Sequence, residues 1–174
     1  YTDDQGNNHI SISAATTAIA NINDTPAVSI TGTATEDQVL TAVVTDEDGI
    51  SGAITYQWTR DGGTIGGATS ATYTLVQADV GAVIAVVASY TDGQGTAETS
   101  TSANTTAVAN VNDAPVVSIT GTVTEDQVLT AVVADEDGLS GAITYQWTRG
   151  GANINGATNA TYTLVQADVG AVIR

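Results

Sequence analysis

The sequence predicts an all-β protein built from tandem β-sandwich repeats of 89 residues. Three observations carry this prediction. An internal repeat runs through the whole chain, apolar residues alternate with period two between turn signals, and no stretch has helical periodicity.

Asn23 to Ala85 aligns without a gap on Asn112 to Arg174, and 52 of the 63 positions are identical. Tyr1 to Ile22 aligns at the same offset on Tyr90 to Val111, with 13 of 22 identities. The expected organisation is therefore the C-terminal strand of a preceding repeat (1–22), a complete sandwich (23–111) and an incomplete sandwich lacking its last strands (112–174). Both ends fall inside a repeat. Two explanations are open: a fragment of a longer array, or a subunit whose N-terminal strand completes the open domain of a neighbour.

Within one repeat the strands follow in order. Residues 27–33 and 39–45 form the first two, with Leu40, Ala42 and Val44 on one face. Asp46-Glu-Asp-Gly49 is a turn. In strand 53–60, Ile54, Tyr56 and Trp58 point inward. Glycines at 62–63 and 66–67 punctuate a short hairpin around Ile65. Residues 72–76 form the next strand, preceded by a very short one. A helical turn is expected at 77–81, followed by strand 82–90, the turn Asp92-Gly-Gln-Gly95 and a Thr-rich strand over 96–108. Seven short strands with turns about every eight to twelve residues describe a sandwich. Trp58 falls where such a fold keeps its core tryptophan, so it is expected in the core rather than on a sugar-stacking surface.

The net charge is −16, from 19 acidic residues against three basic ones. That balance excludes nucleic acid, whose phosphates need Lys and Arg, and disfavours anionic membrane surfaces. A cation is the partner it invites. With no Cys, the repeat must be held by its core, by metal, or by both. No run is apolar enough for membrane insertion. His9 is the sole histidine and no Ser has a His partner in its repeat, so nucleophilic catalysis has no machinery. The chain is not expected to be an enzyme.

Several motifs carry a resemblance. Tyr56-Gln-Trp58, Gly67-Ala-Thr, Thr72-Tyr-Thr-Leu75 and Ala78-Asp-Val-Gly81 resemble the bacterial immunoglobulin-like repeats of giant secreted surface adhesins. Val44-Thr-Asp-Glu-Asp-Gly49 with Gly52-Ala-Ile-Thr-Tyr56 is similar to a cadherin-repeat signature. Ala88-Ser-Tyr-Thr-Asp-Gly93 resembles the cadherin Ala-x-Asp-Gly turn with one extra residue. Asn110-Val-Asn-Asp-Ala-Pro115 resembles the cadherin linker, one residue short and with Asn for its first Asp. The resemblance implies tandem immunoglobulin-like (cadherin-like) sandwiches.

With strands alternating down and up, the acidic turns of successive repeats meet at the junctions. One junction collects Glu36 and Asp37 from above, Asn112 and Asp113 in the linker, and Asp135 and Asp137 from below. The preceding junction would use Asp3, Asn23, Asp24, Asp46, Asp48 and Asp92. So many oxygen donors repel unless a cation sits among them, and hard oxygen ligands without His or Cys suit Ca²⁺ over Zn²⁺. Turn formation alone is the competing account of these motifs. Asp79 is expected to pair with Arg60 as a structural ion pair, repeated as Arg149 with Asp168.

The functional expectation is a calcium-stiffened stalk of an extracellular, bacterial cell-surface adhesin. Its partners would be neighbouring repeats of the same or identical chains, with a surface glycan or protein engaged through other domains. The alternatives are a filament subunit assembled by strand complementation, and a carbohydrate- or ice-binding module using the Thr-rich strand.

Overall fold

The computed structural model describes residues 1–174. The first sandwich is built from β1 (Ala27–Thr31), β2 (Val39–Thr45), β3 (Ile50–Arg60), β4 (Gly63–Thr64), β5 (Thr72–Thr74), β6 (Ile84–Asp92) and β7 (Ala97–Thr101). One sheet has the order β1-β2-β5 and the other β4-β3-β6-β7, all antiparallel. This two-sheet arrangement is immunoglobulin-like. The alternating positions close between the sheets: Leu40, Ala42, Trp58, Leu75, Ile84, Val86 and Val108 form one buried cluster. Trp58 is a core residue. Its indole N–H donates to the Ser70 carbonyl at 2.8 Å, and its ring stacks on Tyr73.

The ends of β1, β5 and β6 move by two residues from the sequence expectation, and three further elements differ more, each for a local reason. β3 begins at Ile50 because it pairs across to Asp92, with a register shift between Ser51 and Thr55. Gly52, at φ 87°, supplies the bend at that irregularity. The expected short strand before β5 is absent as a strand; there the Ala71 carbonyl accepts the Ala42 N–H. The last expected strand, 96–108, is regular only to Thr101. Beyond it the Ser102 and Thr105 hydroxyls accept the Val86 and Ile84 N–H groups. The chain then crosses to the other sheet's edge, forming parallel bridges from Val108 to Val80 and from Ala109 to Thr35.

The second unit contains β8 (Val116–Thr120), β9 (Val128–Ala134), β10 (Thr148–Arg149), β11 (Ala152–Asn153) and β12 (Thr161–Thr163). Its sheets are β12-β9-β8 and β10-β11. Its core is reduced to Leu129, Trp147 and Leu164. Within 112–174 no strand takes the place that β6 and β7 hold in the first unit. The stretch Gly141 to Arg149 repeats Gly52 to Arg60 residue for residue, yet only Thr148–Arg149 is a strand. A strand needs a partner for its N–H and C=O groups, and β6 is that partner in the first unit.

Residues 1–22 hold no regular strand. Tyr1 to His9 closes a small hairpin through the Thr2–Asn8 bridge, and residues 10–22 lie without a backbone partner.

Candidate metal site at the repeat junction

At the corner between β5 and β6, a 3-10 turn, Gln77–Asp79, buries Asp79 completely. Arg60 donates to Oδ1 from Nε at 2.7 Å and Nη2 at 2.6 Å. The Tyr73 hydroxyl and the Val76 N–H donate to Oδ2 at 2.9 Å each. Hydrogen bonding to Asp79 raises the Arg60 pKa. The second unit repeats the group: Arg149, Tyr162 and Val165 N–H surround Asp168. Burial pushes the Asp168 carboxyl up, but the Val165 N–H, Arg149 and Tyr162 outweigh it and hold it below the usual carboxylate value. Four donors fill the acceptor positions of Asp79, so the pair braces the corner and leaves no open position for a metal.

The acidic residues at the ends of the sandwiches divide into three groups. Most of the carboxylates cap their own backbone. Asp46 accepts the Asp48 N–H and the Tyr90 hydroxyl, and Asp135 accepts the Asp137 N–H. Asp92 is 1 % exposed and its Oδ1 accepts the Gln94 and Thr96 N–H groups. Burial acts to raise the Asp92 carboxyl, but these amides hold it below its ordinary value. Its Oδ2 has no hydrogen-bond partner. Asp3, the equivalent residue, accepts from Gln5, Asn7 and His9. The His9 contact, followed by the Asn7 N–H, lowers its pKa to about 2. Asp37 is exposed at φ 63°, serving the turn before β2.

Asp48 and Asp137 have another task, performed identically in both units. Asp137 accepts the Asn110 side-chain amide at 2.7 Å and the Asp113 N–H at 2.8 Å. Asp48 accepts the Asn21 amide and the Asp24 N–H, each at 2.8 Å. Each carboxylate thus fastens the linker to the unit that follows. Asn112 turns its amide to the Asp113 carbonyl, and Asn23 donates to Glu98 at 2.8 Å.

What remains is a group of three. Carboxylate oxygens of Glu36, Asp113 and Glu136 lie within 4.8 Å of one another. Glu36 comes from the turn before β2 of the first unit, Asp113 from the linker and Glu136 from the turn after β9 of the second. Glu36 is 2 % exposed. The linker covers it, with the Val111 N–H 3.2 Å from Oε2, and the Gln77 amide nitrogen reaches Oε1 at 2.8 Å when oriented to donate. At this separation each pair of charges costs about 1 kcal/mol in water and about 3 kcal/mol at an effective dielectric of about 20. No Lys exists to offset it. The donors are all oxygen, and three carboxylates, each able to bind through one or two atoms, fit part of the six-to-eight-oxygen shell typical of Ca²⁺. Of the residues expected at this junction, the structure brings Glu36 and Asp113 together. Asp135, Asp137, Asp37 and Asn112 serve the backbone and linker instead. Glu136 is the member sequence reasoning passed over. In Asp-Glu-Asp, the first Asp caps the N–H two residues on and the second clamps the linker, which leaves the middle residue free to reach across.

The fold and its repetition define the class: a tandem array of immunoglobulin-like β-sandwiches. No protein-family model matches the chain, and no curated protein matches it. Among solved structures it is similar to the three N-terminal domains of the bacteriophage RB49 Highly Immunogenic Outer Capsid protein (Hoc), at 19 % identity and a TM-score of 0.37. The match covers 86 % of this chain and 57 % of that one.

Proposed function

We propose that this chain is a structural extender of a large extracellular bacterial adhesin, and that Ca²⁺ held between successive sandwiches stiffens it. The observation that carries the reading is the convergence of Glu36, Asp113 and Glu136 from three separate segments. An ion bound there ties the first unit, the linker and the second unit to one point. Without it the same carboxylates push the units apart. Asp137 already fixes the linker to the second unit through two hydrogen bonds. The ion's added effect therefore falls on the contact with Glu36, across the hinge.

Extracellular calcium modules work with sites of about 10⁻⁴ to 10⁻³ M, and an array that must stand away from a surface needs only that strength. The chain's acid excess suits a cation-rich medium, and no helix is long and apolar enough to cross a membrane. The role is mechanical rather than catalytic. Contacts with a cell-surface glycan or protein belong to other domains of the adhesin. Calorimetric Ca²⁺ titration and small-angle scattering test the reading together. Chelation should shorten the mean maximum dimension, and Glu36→Gln with Glu136→Gln should weaken binding at least tenfold, following the loss of two of three charges. A maximum dimension indifferent to chelator would sink the stiffening role.

A further inference from the structure

The segment between β11 and β12 carries chemistry that the sandwich itself does not use. Ile154 to Ala157 is a β-turn: the Ala157 N–H donates to the Ile154 carbonyl at 3.2 Å, and Gly156 sits at φ 75°. A positive φ at the third residue alone marks a type II turn, where glycine is preferred. Asn155 takes the second position and is exposed. The Gly156 N–H has no acceptor within the chain. The space beside it is open, since an added Cβ would meet nothing within 4 Å. The first unit has the same turn at Gly66-Gly67, with the Ala68 N–H on the Ile65 carbonyl at 3.2 Å and Gly67 at φ 77°. The turn therefore belongs to the repeat, and the asparagine is particular to the second unit.

Asn155-Gly156 is the one place in the chain where glycine follows asparagine. Every other asparagine precedes a residue whose Cβ crowds the next main-chain nitrogen. Asn21, Asn23, Asn110 and Asn112 are also tied, by their amides, to Asp48, Glu98, Asp137 and the Asp113 carbonyl. The Asn155 amide has no such tie. A free side-chain amide and a free, uncrowded nitrogen one residue on are the two reactants of an intramolecular ring closure, already held in one segment.

We propose that Asn155-Gly156 is a self-modification site, where the side-chain amide is converted into a carboxylate without an enzyme. The Gly156 nitrogen loses its proton to solvent and attacks Asn155 Cγ. The Cγ–Nδ2 bond breaks, and the amide leaves as ammonia with a proton taken from water. Water then opens the five-membered imide, at Cγ to leave aspartate or at the Asn155 main-chain carbonyl to leave isoaspartate. In a type II turn the second residue has ψ of about 120°, which keeps the attacking nitrogen away from Cγ. The turn bond at 3.2 Å must therefore open first, a local event that costs much less than unfolding the unit. Either product adds a negative charge at position 155. In isoaspartate the main chain runs through Cβ and is one atom longer. Ile154 and Ala157, on either side, pack against Leu129, Trp147 and Leu164, and the Gln146 amide holds the Ile154 carbonyl at 2.9 Å. The longer turn loosens that hairpin from the Trp147 core.

Arginines at 60, 149 and 174, in a chain without Lys, make the site easy to read by mass spectrometry. The folded chain is aged at mildly alkaline pH, then denatured and cut with trypsin into 1–60, 61–149 and 150–174. Fragment 150–174 should gain about 1 Da, placed on Asn155 by fragmentation, about tenfold faster than either other fragment. Enzymatic carboxyl methylation should find isoaspartate in the same fragment. The rate should rise with pH, because the attacking nitrogen must lose its proton. Hydrogen exchange in the aged chain should quicken over 146–158 and stay unchanged over 57–69. Asn155→Gln should abolish the gain. Gly66→Asn places the same pair in the first unit's turn, and should add a matching gain to 61–149. Equal rates in all three fragments, a gain placed on Asn159, or a Gly66→Asn chain whose 61–149 fragment stays unchanged overturns the proposal.

Discussion

Replacing Asp79 by Ala is the most direct test of what holds a sandwich closed. The carboxylate is fully buried and receives Arg60, the Tyr73 hydroxyl and the Val76 N–H. Removing it strands a guanidinium, a phenol and an amide at one corner. Breaking a buried ion pair from one side costs about 3–5 kcal/mol. The Arg60 side chain is 32 % exposed, so water can recover part of its hydration and the lower end, about 3 kcal/mol, applies. For a domain of this size each kcal/mol moves the midpoint by about 4–8 °C, which gives a fall of about 12–24 °C. The assay is thermal and urea unfolding followed by tryptophan fluorescence in a Trp147→Phe background, where Trp58 alone reports the first unit. Calorimetry of the same variant checks the size of the transition. A loss below about 1 kcal/mol, the worth of an exposed ion pair, would refute the view that this corner is a closed, fully satisfied network.

Three further outcomes rest on the same packing. Gly93→Ala should destabilise the first unit by about 1–3 kcal/mol, because the added Cβ would lie 2.3 Å from the Asp48 carbonyl; an unchanged urea midpoint would contradict that close approach. Tyr90→Phe should cost about 1–2 kcal/mol, since the buried hydroxyl donates to Asp46 at 2.5 Å, again read by urea unfolding. Asp92 and Asp168 both have pKa values lowered in the folded chain by hydrogen bonds that outweigh burial. Their stabilisation is therefore complete above the unfolded carboxylate value of about 4 and is lost as pH falls through the depressed values. Melting midpoints taken in high salt, where surface repulsion is screened, should hold down to about pH 5 and drop below about pH 4; a midpoint that rises on acidification would reverse the sign.

Much of the first sandwich was legible in the sequence because half-buried strands alternate with period two and glycines mark their ends. Leu40, Ala42 and Trp58 are buried as their spacing implies, and Arg60 meets Asp79 because a strand end and a corner converge in this topology. The candidate site was legible only in part. Composition and turn position bring Glu36 and Asp113 to one junction, but a list of acids does not say which carboxylates are already occupied. Asp46, Asp92 and Asp135 are engaged by N–H groups two to four residues along the chain, a local competition that turn residues commonly win. Glu136 emerges only after its neighbours have been assigned.

The sequence by itself determined the 89-residue period, the alternation of the strand faces and the core positions Leu40, Ala42 and Trp58, because these depend on side-chain pattern along the chain. Which of the acidic side chains come together was decided only by the tertiary structure. Glu36 and Glu136 belong to different units, and they meet Asp113 only where the folded linker sets the turn before β2 against the turn after β9. That convergence depends on long-range packing, and no local sequence can supply it.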